Sequence, residues 1–181
     1  MNVFACDPSP IKSAQWLADQ HVVKMTLESA QIASSALHLR GSKNYSLYRP
    51  THLKHPCVLE AARSDKYMAW LIDHGIALAA EYLARFGKQH ASLTRLESCR
   101  RLVWLSDRHV KTPYGRTPTP AVFPLAMPDE HKGEDPHESY RKYLTAKYAA
   151  WGQTKRPARW RRVVDDNPFV DESRLLLSLA A

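Results

Sequence analysis

The sequence predicts an all-α protein: a compact single-domain helical fold with a long N-terminal helix, a Pro-rich irregular segment and a basic C-terminal tail. Three observations lead there. Apolar residues recur at helical spacing in several stretches between residues 10 and 151, the primary signature of helices that bury one face. Those stretches begin or end at Ser, Pro or Gly residues that start and stop helices. No segment shows the strict alternation of a half-buried strand, and there is no internal repeat or low-complexity linker. A chain of 181 residues is one domain of ordinary size, long enough to bury a core.

Residues 1–7 (MNVFACD) read as a short extended entry. Ser9 and Pro10 then offer an N-cap and a first helical residue, and the first helix is expected from Pro10 to Arg40, stopped by Gly41. Its length makes a bend plausible. Gly41 to Pro56 is a loop rich in Tyr, Arg, Lys and His. A second helix is expected from Val58 or Ser64 to Phe86, closed by Gly87, with Tyr67, Trp70, Leu71, Leu78, Tyr82 and Phe86 in its apolar pattern. Residues 91–107 make a third. From Val110 to Pro136, six prolines (113, 118, 120, 124, 128 and 136) forbid regular structure. A fourth helix follows from His137 to Trp151, then the tail over 155–181 with a short terminal helix at 171–179.

The first helix carries the chemistry. At 100° per residue, Leu17, His21, Lys24, Glu28 and Ser35 share a stripe, with His21 and Glu28 about 10 Å apart along the axis. The rest of the circumference is apolar or small: Trp16, Ala18, Val22, Val23, Met25, Leu27, Ala30, Ile32, Ala33 and Ala36. Such a helix should be mostly buried, and buried charge is costly unless paired. An internal Lys24–Glu28 pair with a hydrogen-bonded His21 accounts for the stripe structurally. A catalytic carboxyl looking into a hollow accounts for it functionally. The residues alone leave both open.

Lys and Arg number 26 against 18 Asp and Glu, giving a formal net charge of +8. That balance points to a polyanionic partner, most simply DNA. No apolar run reaches membrane-spanning length and the N-terminus lacks the layout of a signal peptide, so a soluble, cytoplasmic protein without a membrane partner is expected. Cys6, Cys57 and Cys99 are odd in number and widely spaced, which argues for reduced, buried thiols.

Three segments together resemble the phage pyrimidine-dimer DNA glycosylases of the endonuclease V type. They are Leu17-Ala18-Asp19-Gln20-His21 with Glu28; Asp65-Lys66 continuing through Ala80-Glu81-Tyr82-Leu83 to Arg85-Phe86-Gly87; and Pro136-His137-Glu138 with Lys147 and Arg156-Pro157-Ala158-Arg159-Trp160. Order and approximate spacing agree over most of residues 1–160, and His55-Pro56 with Leu59-Glu60 also resembles looser bacterial relatives. The resemblance implies a compact helical fold whose N-terminal segment threads between helices. It implies base excision by an N-terminal amine that attacks C1′ and forms a Schiff base, assisted by a glutamate that matches Glu28. His21 matches a histidine that binds the sugar-phosphate near the lesion. An α-amine, with an intrinsic pKa near 7.7–8.0, suits this role better than a lysine. Asn2 is too large for efficient removal of the initiator, so the amine is expected on Met1. The entry before Ala18 is longer than in the family, and the family's arginines flanking the glutamate are Leu27 and Gln31 here, which points to a changed substrate, with Lys24 supplying positive charge from another turn. The source implied is a phage, so the compartment would be the host cytoplasm.

Lys155, Arg156, Arg159, Arg161 and Arg162 place five positive charges in eight residues, beside Trp151 and Trp160. With Lys24, Lys147, and Arg49 and Lys54 of the basic loop, they form the expected DNA-binding set: cations neutralise phosphates and an aromatic can stack on a base. For Trp160 the competing reading is an anchor that holds the tail to the core. His52, His55 and Cys57 fit no standard zinc spacing, and neither metal nor cofactor is expected. Asp129, Glu130, Glu134 and Asp135 read as a solvated acidic loop, His74 and His90 as packing or surface residues. Asp7 or Asp19 could flank the Glu28 pocket and activate water. The reading is therefore a monomeric DNA glycosylase with AP-lyase activity, acting on a damaged or modified base, a pyrimidine by resemblance, in double-stranded DNA. The alternatives are a transferase that modifies phage DNA bases on the same fold, and a non-catalytic DNA-binding protein.

Overall fold

The computed structural model describes residues 1–106 and 119–170. Six α-helices and one 3₁₀ turn account for the regular structure of these residues, with no strand among them. The helices are α1 (Pro10–Trp16), α2 (Asp19–Leu39), α3 (Pro56–Arg63), α4 (Asp65–Phe86), α5 (Leu93–Ser106) and α6 (Pro136–Gly152), and the 3₁₀ turn spans Asp129–His131. No described helix is long and apolar enough to cross a membrane. The expected helix at 171–179 and Pro113 and Pro118 lie outside the described residues.

Local capping sets most boundaries. Ser9 accepts the Lys12 amide and Pro10 opens α1. Ser64 ends α3 and starts α4, accepting the Tyr67 amide. Gly87 closes α4 in the left-handed region at φ 69°, a conformation open to glycine without strain. Asp135 accepts the His137 and Glu138 amides ahead of Pro136. Of the two starts expected for the second helix, Ser64 holds for α4, and Val58 falls in a separate helix, α3, that ends at the shared Ser64 cap.

The long N-terminal helix expected from Pro10 to Arg40 is also two. Leu17 and Ala18 adopt extended backbone (ψ 143° and 155°), although neither is Gly or Pro. Distant groups meet the polar atoms exposed at this break. Arg85 of α4 donates to the Gln15 and Leu17 carbonyls at 2.9 and 2.7 Å. The Ala18 amide donates to the Tyr148 hydroxyl at 3.2 Å, and the Asp19 amide to the Arg159 carbonyl at 2.7 Å. Buried backbone groups must find partners, and here α4, α6 and the tail supply them.

α4 is the central element, packed against α1, α2, α3 and α5. Tyr67, Met68, Trp70, Leu71, Ile72 and Leu78 are essentially inaccessible to solvent. α5 approaches closely at Gly75, where a Cβ would fall 2.7 Å from Leu96 Cδ2 and 2.9 Å from Ser29 Cβ. The entry segment is part of this interior: Val3, Phe4, Ala5 and Cys6 are all buried. It is tied to α6, where His137 hydrogen-bonds the Ala5 carbonyl at 2.8 Å and Arg141 donates to the Cys6 carbonyl at 2.7 Å.

Candidate active site

Asn2 fixes the start of the chain. Its side-chain amide donates to the Ala126 carbonyl at 2.7 Å, and its Oδ1 accepts the Val3 amide at 2.7 Å and lies 3.1 Å from the Tyr140 hydroxyl. With both ends of that side chain held, the Asn2 backbone N–H points at Glu28 and donates to Oε2 at 2.7 Å. The Met1 α-nitrogen lies 4.0 Å from the same oxygen. Lys24 Nζ stands 3.5 Å from Oε1, so the i,i+4 pair read from the sequence is present. The carboxylate is therefore surrounded by an amide, an α-amine and a lysine.

Exposure differs sharply among these groups. Glu28 and the N-terminal residue present little side-chain surface, whereas Lys24 is 68 % exposed. The exposed face of α2 comprises Val23, Lys24 and Leu27, flanked by half-buried Gln20 and Gln31. Val23 and Leu27, read from the sequence as part of the apolar circumference, are 41 % and 38 % exposed. They stand beside the acid on the outer surface of the helix.

His21 lies one layer deeper, 3 % exposed, with its ring packed against Phe4, Tyr148 and Trp151. Nδ1 pairs with the Tyr148 hydroxyl at 2.8 Å. Burial, helped by the Lys147 and Lys24 charges, pushes its pKa down to about 3, so the imidazole is neutral at physiological pH. Lys147 is half-buried, its ammonium over the Tyr143 and Trp151 rings.

The basic tail folds back over the α1–α2 break. Arg85, with no exposed side chain, pairs with Asp19 at 3.1 Å and Glu81 at 2.9 Å. Arg162 binds the other Glu81 oxygen, and Arg161 lies 3.7 Å from Asp19 while covering the Phe86 ring. Trp160 is half-buried and donates its indole N–H to the Trp16 carbonyl at 3.0 Å. Asp19 is thus committed to arginines, and Trp160 is tied to the core. Lys155, Arg156 and Arg159 are exposed.

A cavity of about 820 Å³ opens between this tail and the start of α2, lined among others by Gln20, Val23, Phe86, Arg156, Arg159 and Trp160. A smaller one of about 250 Å³ lies between α6 and the tail. Glu28 lines neither of them. It stands farther along the exposed α2 stripe that begins at Gln20 and Val23 in the larger cavity, about 12 Å along the axis from Gln20. Arg49 and Lys54 are exposed on the loop before α3.

His55 precedes α3, and its Nδ1 accepts the Cys57 amide at 3.2 Å. Burial, and after it the nearby α-ammonium, lowers the pKa of the ring. In the sequence His55 stood out as a metal-compatible residue beside Cys57 and, with Pro56, as part of the resemblance to looser bacterial relatives. Among the described residues no group of His, Cys, Asp or Glu is arranged to hold a metal ion. All three cysteines are free and buried, their thiol pKa values raised by that burial.

No curated protein and no solved structure matches the chain. The profile of one family, described as pyrimidine dimer DNA glycosylase, matches residues 1–95, which include Glu28, Lys24, His21, His55 and all of α4. That match covers more than half of the chain, and the protein belongs to the pyrimidine dimer DNA glycosylase family.

Proposed function

We propose that this DNA glycosylase removes a damaged or modified base, a pyrimidine by the family's description, through a covalent intermediate on the Met1 α-amine, and that it then opens the strand as an AP lyase. The carrying observation is the 4.0 Å separation between the Met1 nitrogen and Glu28 Oε2. This is an ion-pair distance, longer than a hydrogen bond, as catalytic contacts often are before substrate binds. The Glu28 carboxylate is nearly buried, so the pair is screened less than it would be in water.

The chemistry runs as follows. The neutral amine donates its lone pair to C1′ as the C1′–base bond breaks, and the base leaves with that bond's electrons and takes up a proton. Glu28 accepts a proton from the attacking nitrogen and returns one to O4′ as the sugar ring opens, leaving an imine between C1′ and the amine. Loss of a C2′ proton then expels the 3′ phosphate by β-elimination. Lys24, with the exposed Lys155, Arg156 and Arg159, binds the phosphates on either side, and Arg49, Lys54, Arg161 and Arg162 add to the same positive field. Lys147 charges the layer beneath. His21, neutral and hydrogen-bonded, supports the α2 surface from below, and Trp160 anchors the tail that carries the arginines. The protein works as a monomer on double-stranded DNA in the cytoplasm, that of a host cell if the gene is a phage's.

Reduction with borohydride tests this reading. Wild-type protein on duplex DNA with an abasic site should yield a stable covalent adduct. If no adduct forms while the base is still released, water rather than an amine is the nucleophile and the lyase part of the proposal falls. If neither occurs on any damaged or modified pyrimidine, the excision reading falls too.

A further inference from the structure

The outer stripe of α2 is bounded at both ends by basic elements. At its start, the Gln20 side chain donates to the Pro157 carbonyl at 2.6 Å and accepts the Arg159 amide at 3.3 Å, which seats the tail with its exposed Arg156 and Arg159. Two heptads on, Ser34 accepts the Tyr48 amide at 3.1 Å, which seats the loop that carries exposed Arg49 and Lys54. Residues spaced by seven drift only about 20° around a helix, so Gln20, Leu27 and Ser34 fall nearly on one line. The ends of that line lie about 21 Å apart, a length matched by about six base-pair steps of 3.4 Å. Leu27 stands at its midpoint and Val23 one turn earlier, both exposed, beside Lys24. Two aliphatic side chains thus project between two sets of cations, where a surface that met only phosphate would gain nothing from them.

Glu28 lies one step around the helix from Leu27 but is recessed, its side chain only 10 % exposed. A nucleotide stacked in a duplex cannot place its C1′ against a carboxylate and an amine set back in this way, so it must leave the stack, and a gap opens behind it. We infer that Leu27, assisted by Val23, is the wedge that enters this gap, a role that rests on the excision reading above. Apolar side chains inserted at a base step unstack it and kink the duplex, and burying them among the bases offsets part of the cost of eversion. The cations at the two ends of the stripe hold phosphates about 10 Å to either side of Leu27, which keeps the opened step over the wedge. The mount is rigid: the opposite face of α2, with Val22, Ile32, Ala33 and Ala36, is inaccessible to solvent. His90 Nε2 also meets the Val23 carbonyl at 3.1 Å.

The test compares an abasic site in duplex with the same site in single-stranded DNA, because the duplex has a paired stack to open and the single strand has not. Val23→Ala with Leu27→Ala should slow single-turnover borohydride adduct formation on the duplex by about 10- to 100-fold, the loss expected from removing buried aliphatic groups. The rate on the single strand should stay within about threefold of wild type, and the melting temperature should hold because both side chains are exposed. Leu27→Met, which conserves volume, should stay close to the wild-type duplex rate. Equal slowing on both substrates would mean that the pair acts through Glu28 rather than on the stack, and overturns the inference, as does a double variant at the wild-type duplex rate. A 2-aminopurine placed next to the abasic site reads the wedge without any chemistry: wild type should raise its fluorescence by unstacking it, and the double variant should not. A rise of the same size from both overturns the inference. A wild-type dimer that the double variant splits would assign the apolar pair to a second copy of the chain, and overturns it as well. Absence of adduct with wild type on either substrate removes the amine reading, whereas the 2-aminopurine signal then decides the wedge by itself.

Discussion

The α-nitrogen of Met1 and the carboxylate of Glu28, on separate elements, meet at 4.0 Å because the amide of Asn2, between them in space, donates to the same carboxylate oxygen at 2.7 Å. A single hydrogen bond from the second residue brings the terminus to the acid. Glu28→Gln keeps the shape and can still accept that amide, but it cannot take up and return a proton. Single-turnover base release should fall by 10²- to 10⁴-fold, with the Kd for DNA changed only a few-fold. A variant within threefold of wild-type rate would mean that another group moves the proton.

Two amines lie within 4.0 Å of Glu28, the Met1 nitrogen and Lys24 Nζ. Proteolysis of the reduced adduct followed by mass spectrometry should place the sugar remnant on residue 1. Lys24→Ala should still form adduct and should weaken DNA binding, since this exposed ammonium lies on the face proposed to meet phosphate. A remnant on Lys24 would exchange the two roles.

Arg85 holds the α1–α2 break closed from inside the protein, with Asp19 and Glu81 as its charged partners. Replacing it with Met leaves two buried carboxylates short of a cation and two carbonyls short of donors. Breaking one side of a buried ion pair costs about 3–5 kcal/mol, so denaturant unfolding of Arg85→Met should show a loss of that order. A loss below about 1 kcal/mol would mean that Arg161 and Arg162 compensate from the surface.

Burial pushes the His74 pKa down to about 3, and His21 titrates equally low. Neither His74 nitrogen has a hydrogen-bond partner, and the ring stacks on Trp70 at 5.0 Å. An unfolded histidine titrates near 6.5. Below that pH the unfolded chain binds protons that the native one refuses, so these groups' contribution is fully present above pH 6.5 and is lost as pH falls toward 3. Each contributes a slope of up to about 1.4 kcal/mol per pH unit in that window. The unfolding free energy of His74→Leu, followed from pH 7 to pH 5, should therefore decline less steeply than that of wild type. Parallel curves would show that the native protein accepts this proton.

Arg156 and Arg159 are exposed, whereas Arg161 and Arg162 are partly engaged by Asp19 and Glu81. The double change Arg156→Ala with Arg159→Ala should weaken DNA binding and make the slope of log K against log salt shallower by about 2. An unchanged slope would move the phosphate contacts elsewhere.

The helical class, the Ser9 cap, the Gly87 stop and the Lys24–Glu28 pair were legible in the sequence because each arises from residues within about four positions of one another; Asp135, read as part of a solvated loop, instead caps α6. The resemblance to the glycosylase family was legible too, since it rests on spacing along the chain. The break at Leu17 and Ala18 was not: neither residue disfavours a helix, and the partners of the interrupted backbone, Arg85, Tyr148 and Arg159, lie far away in sequence. Periodicity likewise put His21 and Glu28 on one stripe, but packing against Phe4, Tyr148 and Trp151 buries the first while the second reaches the edge of the surface. What this chain determined locally was its helices and its acid; which amine meets that acid was decided by long-range hydrogen bonds that close only when the core is packed.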